Sequence, residues 1–434
     1  MNNGNSLSGR IFLFVVVALL IASCGGGGGN GGGGNNSPAA NNWLIPVNEV
    51  VDGGPGKDGN PSIDRPLFEP VNSISSVADE DFVIVVRHEG GIKAYPVDIM
   101  TWHEVVNDGP DNSPYTMSYC PLTGSAVAWH GDANHAQKRF GVSGLLYNSN
   151  LILYDRETDS NWSQMLKLSV NGLRAGERPA PIQVIETRLD TLREMYPNAQ
   201  VMTRETSYTR DYDDSPYGPH YLINEIVLFP LAHEDNRLHY KTRAIGIHTE
   251  TSSKVYQVDS FGASTQTINE QFESQSIVVV GNSTQNIAAI YNRELSDGTI
   301  LTFSPIQDDL PNIMSDGEGN IWDVFGTAVS GPRVGEQLEM TQSYTAFWFA
   351  WVAFFENPQI HFNQAKSDSS GAFGHWRNDE KPQYPPRRHF AACSCPSPSW
   401  RNDMQLCRRA HSWRHAVSVT DWRSVVPREH LRIS

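Results

Sequence analysis

The chain has 434 residues, of which 39% are hydrophobic and 19% charged, and a formal net charge of −15. That balance excludes a disordered chain and leaves room for two or three domains around a sizeable core. The acidity argues against nucleic acid as a partner, because phosphate contact needs clustered Lys and Arg.

The N-terminus reads as a targeting segment, residues 1–24. After a single Arg10, "IFLFVVVALLI" runs for eleven apolar residues from Ile11 to Ile21. A helix crossing a bilayer needs roughly 20 residues, so this run has the length of a signal-peptide core. It ends in "IASC", Ile21 to Cys24, which resembles the lipobox of bacterial lipoproteins. The resemblance implies that Cys24 is lipidated and becomes the new N-terminus, so that the membrane is a partner and the protein is exported. Gly25 stands where lipoproteins retained in the inner membrane usually carry Asp. The resemblance therefore favours the outer membrane, facing the periplasm, in a Gram-negative host. The Gly- and Asn-rich stretch 25–42 has no apolar area to bury and reads as a flexible tether. Residues 43–80 form an N-terminal extension.

The main body, 81–363, carries signs of an internal duplication. "KAYPV" at Lys93 is echoed by "KVYQV" at Lys254, and "DRETDSNW" from Asp155 by "DGEGNIW" from Asp316. "NGLRAGE" near Arg174 returns as "SGPRVGE" near Arg333, and Pro197 pairs with Pro358. All four lie about 160 positions apart, in the same order. The sequence predicts a mainly β (α+β) fold. Two tandem β-rich repeats, 81–203 and 243–363, each end in a helix and pack as a pseudo-twofold pair across a connector, 204–242. Within each, short β-branched and aromatic runs alternate with turn residues. "RLDTLREMYP" and "SYTAFWFAWVAFFENP" read as the terminal helices, stopped at proline. The apolar part of the second is too short for a membrane span and reads as a buried helix.

The tail changes character. Residues 366–434 hold twelve Lys and Arg against six Asp and Glu, a net of +6, while the rest of the chain carries −21. Cys393, Cys395, Cys407, His411 and His415 form a loose zinc-like set whose spacing matches no common finger. Residues 364–434 read as an atypical basic tail, disordered or frameshifted. Of five cysteines, Cys24 is the lipid site and Cys120 stands alone in the body, so no disulfide framework holds it.

"TWHEVVND", "YCPLTGSAVAW", "FGVSGLLYNSNLILYDRETDSNWSQ", "TRDYDDSPY" and "FWFAW" together resemble a bacterial and archaeal family known as domain of unknown function 3179, over roughly residues 80–363. The resemblance implies an exported or membrane-anchored protein and carries no established activity. Many members have a second cysteine in a Cys-Pro-Leu-Cys-Gly motif. Here Thr123 takes that place, which puts a dithiol mechanism in doubt.

Two classes of function follow. The first is a thiolate centre at Cys120, between a strand and the Pro-Leu-Thr-Gly turn. Cys120 with His103 and His130 offers ligands for copper or zinc. Alternatively, a nearby imidazolium lowers the thiol pKa for redox or nucleophilic chemistry, with Cys120 and His103 as the catalytic residues. The bland alternative is a free cysteine packed as a small hydrophobe. The second class is a non-enzymatic binding or scaffold lipoprotein of the cell envelope. Asp155, Glu157 and Asp159, with Asp316, Glu318 and Asn320, present oxygens at alternate positions, as calcium ligands or as ordinary polar turns. The connector "TRDYDDSPYGPHY" offers Arg210, Asp211, Tyr212 and His220 to a ligand cleft between the repeats. The ligand, whether small molecule or protein, is not specified.

Overall fold

The computed structural model describes residues 42–89, 91–131, 139–218 and 221–362. Cys24, His220 and the cysteines and histidines of the tail lie outside them. The described residues form a mainly β structure with six sheets and three short helices. None of those helices is long and apolar enough to cross a membrane.

Two short strands, β1 (Val50–Asp52) and β2 (Phe68–Pro70), precede the hairpin β3 (Phe82–His88) and β4 (Gly91–Pro96). The continuous Val-Ile-Val-Val run of β3 is buried on both faces, as such runs are when sheets are covered on both sides. Pro96 ends β4 and leads into α1 (Val97–His103). Next come β5 (Val105–Asp108), β6 (Tyr115–Cys120), β7 (Ser125–His130), β8 (Phe140–Tyr147) and β9 (Asn150–Asp155). This half continues through β10 (Asn161–Ser163), β11 (Leu168–Asn171), β12 (Pro181–Ile182) and β13 (Val184–Arg188) to α2 (Leu189–Met195) and β14 (Gln200–Met202). Its sheets run β13-β3-β4-β14-β2, β12-β7-β6-β5 and β1-β8-β9-β10-β11. In the first, β14 lies parallel to β4 after the crossover through α2.

The C-terminal half opens with the hairpin β15 (Arg243–His248) and β16 (Ser253–Gln257), followed by a single 3-10 turn. Then come β17 (Gln266–Phe272), β18 (Gln275–Asn282), β19 (Ile287–Asn292), β20 (Phe303–Pro305), β21 (Asn312–Asp316), β22 (Ile321–Asp323) and β23 (Ala328–Ser330). β24 (Ser343–Phe347), α3 (Trp348–Phe354) and β25 (Gln359–Ile360) close it. Its sheets run β24-β15-β16-β25, β17-β18-β19 and β20-β21-β22-β23, with β25 parallel to β16. The sequence pattern extends the last helix back to Ser343. In the structure Ser343–Phe347 is instead a strand paired with β15, because its β-branched and aromatic side chains fill a ladder.

One core crosses the boundary between the halves. Val83, Val85 and Leu192 share it with Val278, Tyr291 and Trp322. α3 is apolar all round and accordingly buried. Its indoles are satisfied: Trp348 donates to the carbonyl of Asp235 at 2.9 Å and Trp351 to that of Ala244 at 3.2 Å. The Trp351 ring fills the space where a Cβ on Gly246 would stand 2.5 Å away. The turn after β6 docks on the same region. Phe347 donates its N–H to the Thr123 carbonyl at 2.8 Å. Gly124, at φ +60, lies under the Phe347 ring, where a Cβ would come within 2.9 Å. Gly124→Ala should therefore cost on the order of 2 kcal/mol or more, from the left-handed backbone and the displaced ring together. Urea unfolding checks this; an unchanged midpoint would remove the turn from the list of contacts that join the halves.

Candidate functional site

Cys120 is the last residue of β6, and Pro121 has no N–H to continue the ladder. Strand alternation sends Tyr115, Met117 and Tyr119 to one core cluster and the Cys120 sulfur to another, among Val105, Val127, Leu151 and Tyr221. Cys120 is 0% exposed. Its Sγ lies 3.8 Å from the Ser149 carbonyl. Burial pushes the thiol up to about 11, and the nearby Glu104 carboxylate adds to that. This reverses the expected lowering, because sealing an ionisable sulfur among apolar side chains penalises the thiolate. Thr123 is occupied as well. It accepts from the Asn150 side chain at 3.0 Å and shares a hydrogen bond with Ser125. Gln164 completes that buried polar group, accepting from Asn150 at 2.7 Å.

The two imidazoles are engaged elsewhere. His103 ends α1, fully buried. Burial lowers its pKa, so at neutral pH the ring is uncharged. Nδ1–H then donates to the Pro61 carbonyl and Nε2 accepts from the Tyr212 hydroxyl, both at 2.7 Å. Tyr212 in turn shares a hydrogen bond with Thr206. His130, at the end of β7, is exposed and lies beside His88, ring centres 5.8 Å apart. The described residues hold no group of three His, Cys, Asp or Glu placed to bind a metal. Cys120, His103 and His130 do not converge, so the structure gives the copper or zinc expectation no site.

The connector straps α1. Tyr212 is buried against His103, and Arg210 sits over the Trp102 ring at 5.6 Å. Arg204 bridges Asp98 and Asp213. Asp211 is exposed and accepts the Asp213 N–H. The carboxylates read as calcium ligands brace hairpins instead. Asp155 accepts from Thr158 and from the Trp162 indole at 2.9 Å. Asp316 accepts from Asn320 and from the Trp322 indole at 2.8 Å. Glu157 and Glu318 pair with Arg174 and Arg333, and Asp159 with Lys57.

The residue that does approach Cys120 is Glu104, in the motif "TWHEVVND". It caps α1 in the left-handed region, at φ +60, a conformation that costs a non-glycine residue about 1 kcal/mol or more. Its own N–H closes α1 on Met100, and its carbonyl accepts from Tyr119. The carboxylate is turned inward, where it accepts from Asn60 at 3.1 Å and from the Tyr217 hydroxyl at 3.4 Å. No cation among the described residues pairs with it. Burial pushes its pKa up to about 7. The site around Cys120 is therefore a carboxyl, a thiol and two tyrosines, Tyr217 and Tyr221. In sequence it was visible only as scattered polar residues. A second buried acid, Asp108, is fully partnered by Lys93, Tyr95 and Tyr115.

Fold and site together define a β-rich protein whose cysteine turn is sealed by a connector and by its C-terminal half. The chain belongs to the family described as protein of unknown function DUF3179, whose model matches residues 57–358. No curated protein and no solved structure matches the chain.

The Glu104 environment gives a pH prediction. A carboxyl with a folded pKa near 7 binds more protons in the native state than in the unfolded state between about pH 4.5 and 7. Stability contributed by that proton falls as pH rises through this window, by about 2–3 kcal/mol in all. Glu104→Gln keeps the acceptor for Asn60 and Tyr217 without the charge. Urea unfolding at pH 5 and pH 8 should show the difference between the two pH values shrinking by that amount in the variant. An identical pH dependence in both proteins would contradict the environment described.

Proposed function

We propose that the protein is a non-enzymatic binding lipoprotein of the cell envelope, anchored through Cys24, with a body made of two copies of one β-rich unit. Cys120 serves the packing of the first copy. The observation that carries this reading over a thiolate centre is the sealed sulfur, with its pKa raised to about 11 and neither His103 nor His130 bonded to it.

Matched topology supports the two copies. β3, β4, α2 and β14 in one half have the connections of β15, β16, α3 and β25 in the other, including the parallel last strand. The hairpin brackets Trp162–Asp155 and Trp322–Asp316 use the same atoms. Lys93, Tyr95 and Asp108 have counterparts in Lys254, Tyr256 and Glu270, which are likewise bonded. Both β10–β11 and β22–β23 shift register one residue before the tryptophan. The lipobox at Ile21–Cys24 and the tether to Asn42 support the anchor. Such a tether holds the body off the membrane while anchoring acyl chains contribute roughly 0.8 kcal/mol per buried methylene. Membrane fractionation of wild type and Cys24→Ser tests the anchor. Wild type should sediment with membranes and the variant should not; equal retention of both would defeat the reading.

A further inference from the structure

Two of the junctions between the halves are matched in position, and one of them is electrostatically incomplete. At the complete junction, Arg87, next to last in β3, reaches the hairpin turn after β22. Its guanidinium pairs with the Asp323 carboxylate at 2.5 Å and donates to Thr327 at 2.9 Å and to the Tyr196 hydroxyl at 3.0 Å. The other Asp323 oxygen accepts the N–H groups of Phe325 and Thr327. Cation and anion cancel within the protein.

At the other junction the same places hold different residues. His248 pairs with Ser253, the residue before Lys254, as Arg87 pairs with Ile92, the residue before Lys93. Phe355 caps α3 as Tyr196 caps α2, and its ring stacks on His248 at 4.4 Å. Ser163 follows Trp162 as Asp323 follows Trp322, and it accepts the Leu166 N–H from the turn. Lys167 lies in that turn, in the left-handed region at φ +49. The carboxylate is missing from this arrangement, and two bases remain.

Lys167 is 6% exposed. Its ammonium makes one long hydrogen bond, to the Ser343 carbonyl at 3.4 Å, and lies 5.1 Å from the Tyr344 ring. No carboxylate among the described residues pairs with it. The Nε2 of His248 is buried without a partner, while Nδ1 is 3.3 Å from the Thr249 carbonyl. A buried ammonium without a counter-ion is costly to keep. Lys167 also lines a cavity of about 30 Å³, together with Gln183, Ser343 and Thr345. That is space for about two waters. The one acid in its wall, Glu186, is already paired with Arg243 at 2.6 Å.

We propose that this junction binds a small carboxylate, the anion that Asp323 supplies internally at the matching junction, held by Lys167 in the cavity that it lines. The comparison of the two junctions rests on the two-copy reading; the unpartnered bases do not. The free site holds both bases down, Lys167 to about 8 and His248 to about 4, chiefly by burial. A bound anion beside Lys167 raises its pKa.

Thermal melts of the full chain in sodium acetate against sodium chloride, at pH 7.5 and matched ionic strength, test the proposal. Acetate at tenfold over its Kd should raise the wild-type Tm by about 2 °C relative to chloride. Lys167→Met, which fills the same space without charge, should show no difference between the salts. An equal shift in both proteins, or none in wild type, would overturn the site. Ser163→Asp separates the site from the two-copy reading. With both correct, this variant melts higher than wild type in chloride and no longer responds to acetate. A wild-type response through Lys167 that persists in Ser163→Asp would keep the site and reject the matching of junctions. A gain in stability by Ser163→Asp without any wild-type acetate response would keep the matching and reject the site.

Discussion

The hydrogen bond from the Phe347 N–H to the Thr123 carbonyl fixes the cysteine turn against the C-terminal half. Pro121 stops β6 at Cys120 and forces the chain to turn there. Gly124 supplies the positive φ that brings the turn under the Phe347 ring. With the turn held, Thr123 and Ser125 face Asn150 and Gln164, and each of these buried polar groups finds a partner. The sulfur is left on the apolar side. Its burial comes from the apolar cluster of the first half and from Tyr221 of the connector, and its raised pKa is a consequence of that burial.

The same logic governs the charges. The acidic body buries few ions without partners. Asp108 is neutralised by Lys93 and two tyrosine hydroxyls, and Glu186 by Arg243. Hairpin carboxylates receive indole and backbone N–H groups, which stiffen the turns. Against that background Glu104 and Lys167 stand out as buried ionisable groups that no opposite charge among the described residues pairs with. Unbalanced buried charge is where function is sought first.

The β character and most strand positions were legible in the alternation of apolar and turn residues. Asp155 and Trp162 were visible as an echo of Asp316 and Trp322, though their meeting across a hairpin was not. The strand Ser343–Phe347 was hidden because an aromatic run reads equally as buried helix or buried strand. The candidate site was legible as a place, and its burial was not. A lone cysteine next to a turn does not reveal which face of its strand is covered, and here part of the cover comes from Tyr217 and Tyr221, far along the chain. Lys167 gave no signal, since its isolation from acids is a property of two junctions.

The account rests on Cys120 being a sealed structural thiol, and its reactivity measures that directly. Native full-length protein is treated with iodoacetamide across pH 7 to 11, and alkylation is followed at the Cys120 peptide by mass spectrometry. The structure predicts no modification near pH 8 without denaturant and an ionisation near pH 11. Native-state alkylation at the rate of a free thiol, with a midpoint below the ordinary value of about 8.5, would contradict it and return the site to thiolate chemistry.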